Sequence, residues 1–236
     1  MCYQILNIHT CKPLWYLTFD IVWFDVKRSS FIYCVTREIA RWVLSIFYRI
    51  EIKPQSAFLD HGPVIILPKH QYWTDIPLVG LTFRSLLYFI AKKELFKYPI
   101  LRGYLSLGGA IPVDRQRSIR SLDSFKILHS LLRAGEKIVI FPEGTYVRDL
   151  VGSGKSRLIE MILRFQSELK DPIAFIPVGI RYGERVGWRR RVEICVGRPL
   201  FGEGASDAIP LTNQVMKEIS CLCQLPQCTD RIAQSA

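Results

Sequence analysis

The stretch VIILPKHQYWTD, residues 64–75, decides the fold class because it joins an apolar run to the start of a helix. Its first four residues are apolar, which predicts a short buried strand over Val64–Leu67. A helix is predicted over Thr74–Phe83, with Thr74 as its candidate N-cap and Pro77 in its first turn. A strand that leads through a short loop into a helix is the repeating unit of α/β proteins.

The same alternation of strands and helices continues along most of the chain. Further strands are predicted at Leu86–Ala91, Ala110–Val113, Lys137–Phe141, Ala174–Ile180 and Arg191–Val196. Helices are predicted between and after them at Glu94–Leu101, Ile119–Arg133, Arg157–Lys170 and Leu211–Leu222. The pattern indicates a single α/β domain with a mostly parallel central sheet flanked by helices.

The first fifty residues differ from the rest because they are rich in aromatic side chains and are interrupted by charges. Leu14–Val26 and Phe31–Ile50 predict a pair of amphipathic helices that lie in a membrane interface rather than cross the bilayer. The alternative is that the two helices pack on the rest of the domain, and both interpretations can hold at once. Residues 51–62 are interpreted as a linker.

The composition favours a negatively charged partner. Lys and Arg number 32 against 21 Asp and Glu in 236 residues, which suits an anionic membrane, a phosphorylated substrate or nucleic acid. Seven cysteines without a repeated framework predict reduced thiols. No signal peptide, membrane-spanning run or metal site is expected, and the cluster of Cys221, Cys223 and Cys228 lacks a Cys-x-x-Cys pair.

His70 and Asp75 form the first candidate pair of chemically active side chains. His70 lies in the loop after the first predicted strand, and Asp75 lies in the first turn of the following helix. Asp75 could then accept the Nδ1–H of the imidazole, fix its tautomer and leave Nε2 as a general base. Taken alone, the same spacing also suits a purely structural histidine.

Three further blocks follow predicted strands or include them. Phe141-Pro142-Glu143-Gly144-Thr145 follows the strand that begins at Lys137, and its glycine allows the backbone to approach a ligand closely. Gly109–Arg115 places Arg115 after a strand, where its guanidinium could hold a phosphate through two hydrogen bonds or pair with Asp114. Ile176–Ile180 has the pattern of a buried strand.

These four blocks, in this order over residues 64–180, resemble the 1-acylglycerol-3-phosphate acyltransferases, also called lysophosphatidic acid acyltransferases. The resemblance implies transfer of a fatty acyl chain from acyl-CoA or acyl carrier protein to the free hydroxyl of 1-acylglycerol-3-phosphate, giving phosphatidic acid. It implies that His70 is the base and Asp75 its partner. It also implies an acceptor site built from Lys92, Arg115, Glu143, Gly144 and Thr145, and no cofactor beyond the donor substrate.

One departure from the family pattern concerns the acceptor. The family continues Glu-Gly-Thr with Arg-Ser, whereas this chain has Tyr146 and Val147, with Arg148 as a candidate substitute. Acyl transfer to glycerol 3-phosphate, another lysophospholipid or a lyso-aminolipid is therefore the alternative. We expect residues 1–55 to be membrane-interface helices and residues 56–236 to be the catalytic domain, held at the cytoplasmic face of a membrane.

Two other classes of protein share single features with this sequence. Gly152-Ser153-Gly154-Lys155-Ser156 is reminiscent of a nucleotide-binding loop, but Asp149 stands where that loop needs its first glycine. The run Arg189-Arg190-Arg191 beside Trp188 could contact nucleic acid, but the other basic residues are scattered. No nucleic acid partner is predicted, and a non-catalytic membrane-binding protein is the remote alternative.

Overall fold

A seven-stranded sheet forms the centre of the computed structural model, which describes residues 29–54, 62–113 and 122–228. The strands run in the spatial order β1-β7-β6-β2-β5-β3-β4. Their bounds are β1 Tyr48–Pro54, β2 Val64–Pro68, β3 Leu87–Lys92, β4 Ala110–Val113, β5 Lys137–Val139, β6 Ala174–Val186 and β7 Arg189–Val196.

Neighbouring strands are parallel except for one hairpin. Five of the six pairings are parallel, and β6 and β7 are antiparallel. The prediction of a mostly parallel sheet in an α/β domain is confirmed. The predicted strand Ala174–Ile180 extends six residues further, to Val186, because the hairpin continues its ladder beyond the buried segment.

Within the described residues, six α-helices connect and cover the strands. They are α1 Ser30–Phe47, α2 Asp75–Thr82, α3 Pro99–Leu107, α4 Leu122–Arg133, α5 Ser156–Leu163 and α6 Ala208–Cys223. The helix predicted over Glu94–Leu101 is instead a 3₁₀ turn, Lys93–Lys97, followed by α3 from Pro99. Proline suits the first position of a helix, where its missing N–H costs nothing, so it begins α3 here.

The core lies in two layers because the central strands are buried on both faces. In β2, Ile65 and Leu67 face the layer formed with α4, α5 and α6, while Val64 and Ile66 face the layer formed with α1 and α2. Alternate residues of a strand point to opposite faces, so an unbroken apolar run such as β2 suits this central position.

The structure corrects part of what the sequence predicts for the N-terminal region, and another part lies outside the described residues. The interpretation of residues 51–62 as a linker is wrong for residues 51–54, which belong to β1 and pair with β7. The predicted helix Phe31–Ile50 corresponds to α1, Ser30–Phe47, but its last three residues belong to β1 instead. The predicted helix Leu14–Val26 lies outside the described residues.

Helix α1 combines a packed side with an exposed apolar side. Tyr33 and Leu44 are buried in the core layer that α1 shares with α2. A separate stripe is largely exposed and consists of Phe31, Val35, Ile39, Trp42 and Ile46. None of the described helices is both long and apolar enough to cross a bilayer.

Candidate active site

Two loops meet at the carboxyl edge of the sheet because the strands that precede them are neighbours. β2 and β5 are parallel partners, so the chain leaves both strands at the same edge. His70 follows β2 by two residues, and Glu143 follows β5 by four. In open α/β sheets this edge is where ligands bind.

His70 and Asp75 are in contact. His70 Nδ1 lies 3.1 Å from Asp75 Oδ2, with His70 in the loop and Asp75 as the first residue of α2. The same Oδ2 atom accepts hydrogen bonds from the backbone N–H groups of Gln71, at 2.5 Å, and Tyr72, at 2.7 Å. Asp75 therefore fixes the loop and the imidazole ring together, and among the described residues no group forms a hydrogen bond to His70 Nε2.

Tyr182, on β6, completes the contacts of Asp75. Its hydroxyl donates a 2.6 Å hydrogen bond to Asp75 Oδ1 and lies 2.9 Å from Thr74 Oγ1. Burial and, next, the negative charge of Asp75 raise the pKa of Tyr182 far above its usual range, so the phenol stays a donor. Thr74 precedes α2 as predicted, but its side chain contacts Tyr182 instead of capping the helix.

A buried ion pair joins the two loops. Lys69 is 0% exposed, and its Nζ lies 2.9 Å from Glu143 Oε1 and 2.8 Å from Oε2. The ammonium group also donates to the carbonyl oxygen of Val147 at 2.6 Å. A buried charge is tolerated only when it is paired and hydrogen-bonded, and both conditions are met here.

The carboxylate of Glu143 holds backbone as well as Lys69. Oε2 accepts from the N–H of His70 at 3.0 Å, and Oε1 accepts from the N–H of Gly152 at 2.7 Å. The sequence assigned Glu143 to the acceptor substrate, but its side chain is 2% exposed and its oxygens already accept from internal donors. Its contacts are those of a residue that positions the loop of the histidine.

The Gly152–Ser156 segment packs against this network. Gly152 donates to Glu143, and the N–H of Lys155 donates to the carbonyl oxygen of Pro142 at 2.8 Å. A side chain at Gly154 would come within 2.6 Å of Thr212 on α6, so glycine is required by packing. The glycines that suggested a nucleotide loop thus have a structural explanation.

An apolar groove of about 750 Å³ has His70 among its lining residues. Its volume lies within the range of sites for small molecules and cofactors, roughly 300–1,000 Å³. It is walled by α1, α2, β3 and the Phe141–Tyr146 turn, and the side chains that line it include Tyr33, Ile39, Val43, Leu44, Ile76, Pro77, Phe89, Ile90, Leu95 and Phe141. A groove with such walls suits a long hydrocarbon chain.

Aromatic rings hold the imidazole of His70 in place. His70 stacks on Phe141, with ring centres 3.8 Å apart and an interplanar angle of 25°. Tyr146 lies against the imidazole ring at 4.3 Å between ring centres. The residue that replaces the arginine of the family pattern is therefore a direct neighbour of His70.

Only some of the other predicted site residues lie beside His70. Lys92, Gly144 and Thr145 line the groove together with His70. Arg148 is placed with its guanidinium carbon 4.9 Å from the centre of the Tyr72 ring. Arg115 lies outside the described residues. Among the described residues, no three His, Cys, Asp or Glu side chains are grouped so as to hold a metal ion.

Sequence reasoning missed Lys69 and Tyr182. Lys69 carried a usable signal, since a lysine that directly follows an apolar strand at a site-bearing edge needs an acidic partner if it is buried. Tyr182 carried none, because it is separated from Asp75 by 107 positions.

Comparison with known proteins places the chain in a family. The model of a family described as Acyltransferase matches residues 49–181, more than half of the chain. A chloroplastic 1-acyl-sn-glycerol-3-phosphate acyltransferase of Arabidopsis thaliana is 27% identical over 213 residues, covering 85% of this chain and 56% of the relative. A lyso-ornithine lipid O-acyltransferase of Pseudomonas aeruginosa is 29% identical over 120 residues, covering 51% of this chain and 43% of the relative.

A solved structure supports the same fold. The crystal structure of the 1-acyl-sn-glycerophosphate acyltransferase PlsC from Thermotoga maritima has a TM-score of 0.57 at 17% identity, covering 87% of this chain and 89% of that one. The chain spans about half the length of the first curated relative, 56%. The family predicted from the sequence is confirmed, and the chain belongs to the acyltransferase family.

Proposed function

We propose that this protein transfers a fatty acyl chain from an acyl thioester, acyl-CoA or acyl carrier protein, to the free hydroxyl of 1-acylglycerol-3-phosphate. The observation that carries the proposal is the apolar groove lined in part by a histidine held by Asp75. The groove would hold the acyl chain and present its carbonyl carbon beside the imidazole. The product is phosphatidic acid, and the other product is a free thiol.

His70 would act as the general base through Nε2. The acceptor hydroxyl attacks the thioester carbonyl carbon while Nε2 takes the hydroxyl proton. The tetrahedral intermediate then collapses, the carbon–sulfur bond breaks, and the proton passes from the imidazolium to the departing thiolate. Asp75 stabilises the imidazolium through Nδ1, and Tyr182 holds the second oxygen of Asp75.

Positioning would supply much of the remaining acceleration. General-base catalysis alone contributes about 10²–10⁴-fold, so the reacting groups must also be held in place. The Lys69–Glu143 pair fixes the backbone N–H of His70, and the N–H of Val147 donates to the carbonyl oxygen of His70 at 2.9 Å. His70 is thus held from its backbone, its Nδ1 atom and its ring face.

A different acceptor is the second candidate function. Tyr146 occupies the place of an arginine that would meet a phosphate, and it lies against the imidazole. The lyso-ornithine lipid acyltransferase among the relatives is named for an acceptor of another chemical class. A lyso-aminolipid acceptor would need no cation at this place, whereas a phosphate could meet Arg37 and Lys92, which line the groove, or Arg148, which lies over the Tyr72 ring.

Membrane association would bring the groove to its lipid substrates. The exposed apolar stripe of α1 lies on the helix that forms one wall of the groove, and Ile39 belongs to both. An amphipathic helix of this kind lies in the interfacial plane of a bilayer. We therefore place the protein at a membrane surface, with the predicted helix Leu14–Val26 and α1 as its membrane-interface region, whereas residues 48–54 belong to β1 of the central sheet.

A panel of acceptors tests the proposal. Each reaction contains purified protein, one donor, acyl-CoA or acyl carrier protein loaded with an acyl chain, and one acceptor. The acceptors are 1-acylglycerol-3-phosphate, glycerol 3-phosphate, lysophosphatidylcholine and a lyso-ornithine lipid, and products are detected by mass spectrometry. We expect transfer to 1-acylglycerol-3-phosphate to be fastest. Faster transfer to the lyso-ornithine lipid would establish the second candidate, and no transfer to any acceptor from acyl-CoA or acyl carrier protein would refute both.

A further inference from the structure

The tip of the β6–β7 hairpin is an exposed segment that the proposed chemistry does not use. Val186 is 57% exposed and Trp188 is 67% exposed, and neither lines the groove. The exposed ring of Trp188 is apolar surface that remains in water, and burying it against a partner would contribute substantially to binding of that partner. Its other exposed residues are Glu184, Arg185, Gly187 and Arg189.

The hairpin tip lies beside the last turn of α1. β1 follows α1 directly and runs parallel to β7, with Tyr48 opposite Arg190. Arg189 Nη1 donates to the carbonyl oxygen of Ser45 at 3.3 Å, which ties the tip to the helix end. Ile46 and Phe47, half or more exposed, therefore neighbour the tip, so the exposed apolar surface of α1 continues onto it.

The charges around the tip are mainly basic and partly unengaged. Arg190 is occupied inside the hairpin, donating to the carbonyl oxygens of Gly183 and Tyr182. Arg185 forms no ion pair with any described residue, and the guanidinium of Arg189 lies 5.6 Å from the centre of the Trp188 ring. Glu184 is the one acidic residue of the tip, so its net charge is positive.

We propose that the hairpin tip, residues 184–189, is a second membrane contact that forms one docking surface with the exposed stripe of α1 on an anionic bilayer. The proposal extends the membrane association of the proposed function. Tryptophan with adjacent arginines suits the headgroup region, where the ring is half buried and the cations meet lipid phosphates. Two contacts on different elements would fix the orientation of the protein, which a single helix leaves free to rotate about its axis.

A bilayer explains these residues better than nucleic acid does. Nucleic acid needs a stripe of cations along its backbone, but Arg190 is committed to the hairpin and Arg191 pairs with Glu51 and Glu193. The exposed residues beside the tip, Ile46 and Phe47, are apolar and continuous with the α1 stripe. Hydrocarbon contact uses this apolar surface, whereas a phosphate backbone does not.

Sedimentation with lipid vesicles tests the proposal on the full chain. Trp188→Ser should lower partitioning onto phosphatidylglycerol-containing vesicles about tenfold, which corresponds to about 1.4 kcal/mol, because the variant loses the partial burial of an aromatic ring. Arg185→Ser should lower it about fivefold on those vesicles and leave binding to phosphatidylcholine vesicles unchanged. Ile209→Ser, at a similarly exposed residue on α6, which packs on the opposite face of the sheet, is the matched control and should have no effect.

Two further measurements separate this proposal from the chemistry and from nucleic acid. Acyl transfer to substrate in detergent micelles should equal that of the wild type in both hairpin variants, because the tip lies outside the groove. If Trp188→Ser bound vesicles as the wild type does, while Trp42→Ser on α1 lost binding, the hairpin contact would be overturned. The proposed function would not be affected by that result. The hairpin contact would also be overturned if Trp188→Ser and Arg185→Ser bound a DNA oligonucleotide more weakly than the wild type but bound vesicles equally well.

Discussion

Replacing Lys69 by methionine removes one half of the buried ion pair that joins the two loops of the site. Glu143 would keep the backbone N–H groups of His70 and Gly152 as donors but would lose two contacts below 3 Å. Breaking a buried pair by removing one partner costs about 3–5 kcal/mol. Because two donors remain for Glu143, we expect about 3 kcal/mol, a large share of the 5–15 kcal/mol typical of whole domains.

A double-mutant cycle measures this loss. Free energies of unfolding come from urea titration followed by circular dichroism, for Lys69→Met, Glu143→Gln and the double variant. In the double variant the neutral amide leaves no uncompensated buried charge, so part of the loss should be recovered. We expect a coupling free energy of about 2 kcal/mol between the two sites.

A surface ion pair provides the matched control. Lys53 pairs with Glu193 at 3.3 Å, but its side chain is 55% exposed, so Lys53→Met should cost at most about 1 kcal/mol. If Lys69→Met costs no more than this control, or if the two single losses simply add, the ion pair does not hold the site together and the reasoning from burial is refuted.

Three further changes test single elements of the site. Tyr182→Phe should lower kcat about tenfold with little change in KM, and an unchanged kcat would contradict this. Burial raises the pKa of the Tyr182 phenol in the folded state, so its contribution to the free energy of unfolding is complete below about pH 10 and is lost as the pH rises above that value. The free energy of unfolding of Tyr182→Phe should therefore decline less at alkaline pH than that of the wild type, and an equal decline would contradict this. Gly80→Leu should fill the groove beside Tyr33 and Phe89 and slow the transfer of long acyl chains relative to short ones, whereas Gly80→Ala, whose Cβ makes ordinary contacts, should not. If Gly80→Leu and the wild type showed the same chain-length profile in competition assays, the role of the groove in holding the acyl chain would be refuted. Tyr146→Arg should lower KM about tenfold for phosphate-bearing acceptors and not for lyso-aminolipids, and an equal change for both would remove the link between this position and the headgroup.

Local pattern was enough to predict most of the strands and helices. The unbroken apolar run of β2 predicted its burial on both faces, and the structure places it in both core layers. β1 was missed although Tyr48, Ile50 and Ile52 alternate with charged residues, because a short alternating stretch after a helix offers no indication of its partner. That partner, β7, lies some 140 positions further along the chain, as the pairing of Tyr48 with Arg190 shows.

The candidate site divides in the same way between local and distant contacts. His70 and Asp75 are five positions apart, so a loop followed by a helix start brings them together whatever the rest of the chain does. Lys69 and Glu143 meet over 74 positions, and Tyr182 reaches Asp75 over 107. Such contacts depend on strand order, which the sequence of one chain does not state, so the positioning role of Glu143 could not be separated from substrate binding.

The most direct test of the proposed chemistry is acyl transfer by His70→Ala, measured with acyl-CoA and 1-acylglycerol-3-phosphate beside the wild type. His129→Ala is the matched control, since His129 packs against Phe165 away from the groove, with ring centres 4.7 Å apart. We expect kcat of His70→Ala to fall by about 10²–10⁴-fold or more, the contribution of general-base catalysis, while its thermal unfolding midpoint stays within a few degrees of the wild type. His129→Ala should keep the activity of the wild type. Transfer by His70→Ala at close to the wild-type rate would contradict general-base catalysis by this histidine.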